Sequence, residues 1–236
     1  DAPDPMLISL DGASFAYRGE DRENYRDYFI PALRRSVDEW APLAVLTRIM
    51  DMRVTPDDVF DREIGGVLDV EAFLRVLVPR IVANDTDGFP LGAGHNGYLM
   101  FGGMDERWRD GGFDMDHTFG DQHPNPVSSP TRDPYVSRLL SRPGPRRLYY
   151  RLLWELMNGY GSPSVSGPYF DALQQATQIL TGSIKNFLRT AAINVQKKLE
   201  PFTSARFRVT TNFGREITTD QASVELEGEA PIQVAF

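Results

Sequence analysis

Residues 94–121 read GHNGYLMFGGMDERWRDGGFDMDHTFGD. Two short apolar runs, 98–101 and 108–113, flank a middle rich in turn formers: Gly102, Gly103, Asp105 and Glu106. Run, turn and run predict a β-hairpin. His95 and Asn96 stand just before the first run. Asp114 and Asp116 stand just after the second, followed by Thr118, Phe119, Gly120 and Asp121. A hairpin brings its outer ends together, so Asn96 is expected beside Asp114. Upstream, Asn84, Asp85 and Asp87 close an apolar segment with helical spacing. Carboxylates and an amide thus converge from three places, and such hard oxygen donors suit Mg²⁺, Mn²⁺ or Ca²⁺.

Upstream of that stretch, residues 6–10 predict a short strand ending at the Asp11-Gly12 turn. Residues 21–30 place Tyr25, Tyr28 and Phe29 at helical spacing. Residues 33–50 continue that spacing, with a break expected at Pro42. Thr55-Pro56 predicts a helix start and Gly65-Gly66 its stop. Asp69 is expected to cap the next helix, whose face of Val70, Phe73, Leu74, Leu77, Val78 and Ile81 is wide enough to belong in the core.

Downstream, residues 122–133 form a proline-bearing loop, and helices are expected at 135–140, 145–158, 166–180 and 182–199. Tyr149 and Tyr150 lie inside the apolar second of these, where core packing outweighs a ligand platform. After Pro201 the pattern turns to strands, at 206–210, 223–227 and 232–236, around a turn at 211–214. The organisation expected is a helical body, residues 1–200, and a β-rich tail, residues 201–236. The tail is either the start of a β-sandwich or a set of strands that packs back on the body.

The order of these pieces resembles the spore-coat protein H (CotH) kinase-like family. Its features are an apolar helix, N-x-x-D-G at 84–88, H-N-x-Y-L at 95–99, the hairpin, and D-x-D-x-T-F-G at 114–120. Residues 17–28 (YRGEDRENYRDY) and 68–80 (LDVEAFLRVLVPR) are similar as well, and the likeness runs from about residue 10 to about residue 199. The resemblance implies an α+β fold: the mainly helical C-terminal lobe of an atypical protein kinase, carrying a β-hairpin metal site. It implies a Mg²⁺/ATP-dependent Ser/Thr kinase-like domain of a secreted or surface protein of bacteria. Asp114 then stands where the D-F-G aspartate holds Mg²⁺ under the phosphates, and Asn96 is a second ligand. Asp116 either ligates or orients Asp114. Asp87 is the base that orients the acceptor hydroxyl, with Asp85 the alternative. Phe113 stands where the family usually has tryptophan.

Plainer readings exist for each residue. Asp114-x-Asp116 on a continuing strand would point both carboxylates to one face. On a loop it would be solvated or paired with Arg107 or Arg109. D-x-D is shared with glycosyltransferases, but no Rossmann-like strand precedes it here. Asp85 and Asp87 are also residues that commonly end helices and make turns. His95 is read as a loop-fixing hydrogen bonder, and His117 and His123 as exposed. No H-x-x-x-H pair supports zinc, and no G-x-S-x-G, H-E-x-x-H or P-loop occurs.

Composition sets the outer bounds. Hydrophobic content of 41% and charged content of 25% are those of a globular chain. Net charge is -8 without a basic run, which argues against nucleic-acid binding. Cysteine is absent, which excludes disulfides, thiolate-ligated zinc and thiol catalysis. No apolar stretch approaches the roughly 18 residues that span a bilayer, and no signal peptide is evident. The lysines are Lys185, Lys197 and Lys198, so none precedes the site. The kinase lysine that contacts ATP is therefore expected to be missing, replaced by arginine, or supplied by a second chain carrying an N-terminal lobe. The alternative function is a non-catalytic extracellular structural or adhesive module with a divalent-metal site.

Overall fold

A computed structural model describes residues 5–33, 40–91, 94–120, 125–127 and 130–234. Among them are seven α-helices and two antiparallel sheets, a mixed α+β fold. The larger sheet joins β1 (Met6–Leu10), β2 (Phe29–Leu33), β3 (Gly97–Phe101) and β4 (Trp108–Gly112) in the order β2-β1-β3-β4. The hairpin expected from the sequence is β3–β4, with Gly97 opposite Gly112 and Phe101 opposite Trp108. It does not stand alone, because β1 pairs along the other edge of β3, Met6 opposite Phe101 and Ser9 opposite Tyr98. The reason is the period-two burial of β1. Met6, Ile8 and Leu10 are buried, so the strand belongs beside β3, where Leu99 and Phe101 share that face.

α1 (Trp40–Met50), α2 (Asp57–Val67) and α3 (Val70–Val82) follow β2. α3 starts where expected: the Asp69 carboxylate accepts the Ala72 N–H at 3.1 Å. Its broad face is buried as predicted and packs on β4 and on α5 (Pro143–Asn158). α4 (Pro134–Ser141) precedes α5; α6 (Pro163–Thr177) and α7 (Gly182–Thr203) complete the helical layer. One apolar core runs from the sheet through α1, α3, α4 and α5 to α7. Tyr149 is buried in it, and its hydroxyl donates to the Pro126 carbonyl at 2.7 Å.

Four local expectations are corrected. Residues 21–30 are not a helix; only Arg22–Asn24 turn as 3-10, and Phe29 already starts β2. Tyr25 decides this. Its buried ring carries a hydroxyl that donates to the Gly19 carbonyl at 2.9 Å and meets Thr47 at 3.1 Å, which folds the segment back on α1. Pro42 does not break a helix, because it lies in the first turn of α1, where no intrahelical partner is lost; residues 34–39 of that expectation lie outside the described residues. α2 runs through Gly65-Gly66 to Val67. α7 runs through Pro201 to Thr203, its last turn held by buried Leu199 and by Phe202 stacked 4.8 Å from Tyr150.

Residues past α7 carry less strand than expected. β5 (Arg208–Val209) and β6 (Gly228–Glu229) are two residues each, and residues 223–227 form no strand. The tail returns to the body at its end. Ile232 is buried in the core and its N–H donates to the Phe202 carbonyl, while Arg147 on α5 donates to the carbonyls of Ala230, Pro231 and Val234.

Candidate functional site

The α3 helix ends at the first piece of the site. Its face of Phe73, Leu77 and Ile81 carries one charged member, Arg80, which is fully buried. Burial of a guanidinium requires that its N–H groups find partners. Nη1 donates to the Phe89 carbonyl at 3.0 Å and lies 3.4 Å from Oδ2 of Asp85, itself buried. Nη2 donates to the Phe113 carbonyl at 2.6 Å and, through a shorter bond, to the Asn96 carbonyl. One side chain thus touches the 85–89 loop, the entry to β3 and the exit from β4.

The loop after α3 is built on Asp85. Its Oδ1 accepts the N–H of Gly88 at 3.0 Å and of Asp87 at 3.3 Å. Asn84, at a φ of 56°, turns the chain out of the helix. The Thr86 N–H donates to the His117 carbonyl and the Phe119 N–H to the Ala83 carbonyl, so the D-x-D segment lies against this loop. Gly88 must be glycine here: a Cβ on it would lie 2.1 Å from Oδ2 of Asp85 and 2.3 Å from Nη1 of Arg80.

Asp87 points elsewhere. Its Oδ2 accepts from Nδ2 of Asn96 at 2.9 Å, and both residues are half-buried. The expected partnership of hairpin base and helix-end loop is therefore present as a direct contact. His95 fixes the neighbouring backbone, as anticipated: its Nδ1 lies 2.6 Å from Oδ1 of Asp11 and 3.3 Å from the Gly12 N–H.

Asp114 and Asp116 are differently placed from the continuing-strand expectation. β4 stops at Gly112, and Asp114 adopts a φ of 47°, so the extended alternation ends before the first carboxylate. Both aspartates are exposed, and Oδ2 of Asp116 lies 3.7 Å from Nε2 of exposed His117. Pairing with Arg107 or Arg109 does not occur. Those arginines hold Asp105 in the hairpin turn and Asp69 at the start of α3, and Arg107 first, then Arg109, keeps the Asp105 carboxyl down at about 2. Among the described residues, no three His, Asp or Glu side chains gather closely enough to hold a metal ion. The Asn96 amide lies half-buried against Asp87, while the Asp114 and Asp116 carboxylates are exposed. Asp121 and His123 lie outside the described residues.

Two buried charged groups escaped the sequence reading, Arg80 and Asp110. Arg80 falls seven residues after Phe73 and three after Leu77, which puts it on the apolar face. Asp110 falls two after Trp108, on the buried face of β4. It is 3% exposed, and neither carboxylate oxygen closes a hydrogen bond among the described residues. Burial pushes its carboxyl up to about 7, against the pull of Arg80. Nε of Arg80 and Oδ2 of Asp85 are likewise without hydrogen-bond partners.

A model of the CotH kinase protein family matches residues 3–207. No match was found among curated proteins. None of the described helices is long and apolar enough to cross a membrane.

Proposed function

The chain belongs to the CotH kinase protein family, and from that premise we propose that its helical body is the C-terminal lobe of an atypical, Mg²⁺/ATP-dependent Ser/Thr protein kinase-like phosphotransferase. The observation that carries the reading is the 2.9 Å contact between Asp87 and Asn96. It joins the acceptor-orienting carboxylate and a metal-binding amide at one point, as phosphoryl transfer requires. Asp87 is preferred to Asp85 for the base. Asp85 is buried, spends Oδ1 on two backbone N–H groups and faces Arg80, so no acceptor hydroxyl can reach it.

The donor set fits a hard divalent cation, Mg²⁺ first and Mn²⁺ or Ca²⁺ otherwise. Asn96 donates to Asp87 through Nδ2, which leaves its amide oxygen for the cation, and Asp114 with Asp116 supplies carboxylates. Once bound, the cation would neutralise charge on the ATP phosphates. The chain's own part is positional: Asp87 accepts a hydrogen bond from the incoming Ser or Thr hydroxyl, and Asn96 fixes the carboxylate that does so. Within these residues no lysine precedes Lys185, so any phosphate contact they make before it falls to an arginine. Substrates are Ser/Thr-bearing proteins outside the cell or on its surface, the bacterial setting the family resemblance suggests.

The second reading is a non-catalytic extracellular structural or adhesive module with a divalent-metal site. It is favoured by the engagement of Arg80, whose guanidinium is spent on backbone carbonyls and Asp85 rather than left for a phosphate. Transfer of labelled phosphate from ATP to Ser/Thr-rich acceptors, with Mg²⁺ or Mn²⁺, separates the two. Asp87→Asn and Asp114→Asn should each lower transfer roughly 100-fold or more while remaining folded. Wild-type protein that transfers nothing and binds no nucleotide establishes the module.

A further inference from the structure

In the β3–β4 ladder the residue numbers of each pair run Gly97 with Gly112, Tyr98 with Gly111 and so on to Phe101 with Trp108. The next rung outward would be Asn96 with Phe113. It is not made. Both carbonyls of that missing rung turn instead to Nη2 of Arg80. Asn96 and Asp114 are both left-handed, at φ of 53° and 47°, so each strand departs from the ladder at the point where the guanidinium enters. The other end of the same planar group holds the Phe89 carbonyl and Asp85. The spacing between the Asp87 loop, Asn96 and the Phe113–Asp114 exit is thus the width of one guanidinium.

We infer that Arg80 is the positioning residue of this site: its buried fork, wedged into the open end of the hairpin, sets the separation of Asp87, Asn96 and Asp114 and with it the affinity for a divalent cation. The inference rests on the metal-binding role proposed above for Asn96 and Asp114. Three features support it. A fork with N–H groups on two terminal nitrogens can serve partners on three separate segments, whereas a lysine ammonium is one point. Gly88 leaves no room for any side chain against Arg80 and Asp85, so the loop backbone is closed against the guanidinium on that side. Asp85, also buried, supplies the countercharge that lets the guanidinium sit there.

The test is Arg80→Lys in the whole chain, which keeps the charge and removes the fork. Amide hydrogen exchange should accelerate tenfold or more together at Gly88, Phe89 and Gly97 and around residues 113–114, while α5 and α7 stay unchanged. The Mn²⁺-induced rise in Tm should shrink to less than half of the wild-type rise at the same Mn²⁺ concentration. A purely structural arginine would lower Tm equally with and without Mn²⁺ and leave that rise intact, an outcome that overturns the inference. Acceleration confined to one of the three segments also overturns it. If wild-type protein shows no Mn²⁺-induced rise, the metal reading falls, the link to cation affinity falls with it, and the exchange data alone decide whether Arg80 spaces the segments. Should Arg80→Lys fail to fold, Gly88→Ala forces a methyl into the same contact and is read by the same two measurements.

Discussion

Replacing Asp110 by Asn should remove a loss of stability that the protein undergoes as pH rises towards and through about 7. Asp110 lies on the buried face of β4 opposite Leu99, without a hydrogen-bond partner for either oxygen among the described residues. The charged groups facing it are Arg80 of α3 and, across Arg80, Asp85 of the following loop. Burial raises its carboxyl from 3.8 to about 7. A folded-state value above the unfolded one means that the folded protein holds the proton more tightly. The stabilisation is therefore complete below about pH 4 and is lost as pH rises through about 7. At 1.36 kcal/mol per pH unit the difference amounts to roughly 4 kcal/mol. Asparagine has the same shape and no charge to bury. Urea unfolding followed by tryptophan fluorescence, to which buried Trp40 and Trp108 contribute, gives stability at pH 4.5, 6 and 8 for both proteins. The Asn variant should match or fall slightly below wild type at pH 4.5 and exceed it by a few kcal/mol at pH 8. A wild-type minus variant difference that stays flat, or rises with pH, refutes the argument and means that Asp110 is hydrogen-bonded and ionised in the folded protein.

The two aspartates of the site loop should separate in their effects. Asp85→Asn leaves Arg80 without its buried partner and should cost about 3–5 kcal/mol in chemical denaturation, whereas Asp87→Asn, half-buried and bonded to Asn96 alone among the described residues, should cost about 1 kcal/mol. Equal costs would mean that Asp85 is not the structural member of the pair. At the other end of the chain, Ile232→Ala should lower stability by about 2 kcal/mol, while Leu226→Ser, exposed in the middle of the tail, should change it by under about 0.5 kcal/mol. Thermal or urea melts decide this, and an unaffected Ile232→Ala would show that the tail end contributes nothing to the core.

Much of the body was readable from local signals. The hairpin announced itself by two apolar runs around Gly102-Gly103, and α3 by the Asp69 cap and a face repeating at three and four residues. These are properties of the chain within a dozen residues, fixed by backbone propensity and periodicity. The family likeness placed Asp87, Asn96 and Asp114 in one neighbourhood, and the Asp87–Asn96 contact is a bond between two of the residues so named. The segment 21–30 was misread because Tyr25, Tyr28 and Phe29 suit a helix face and a bent, buried strap equally well. Only the Tyr25 hydroxyl contacts with Gly19 and Thr47 distinguish the two.

The sequence by itself determined the hairpin and the order of the main helices. Tertiary structure decided their arrangement. It ended β4 at Gly112 and turned Asp114 out of the strand, since Arg80 takes the carbonyls that another rung would have used. It assigned Asp85 to the core and left Asp87 half-buried beside Asn96, two residues away in a run where either looked eligible. It also buried Asp110 and Arg80 in the same core, which no local pattern enforces. A charged side chain is held inside only by partners from distant segments, and those partners exist only once the chain has closed around it.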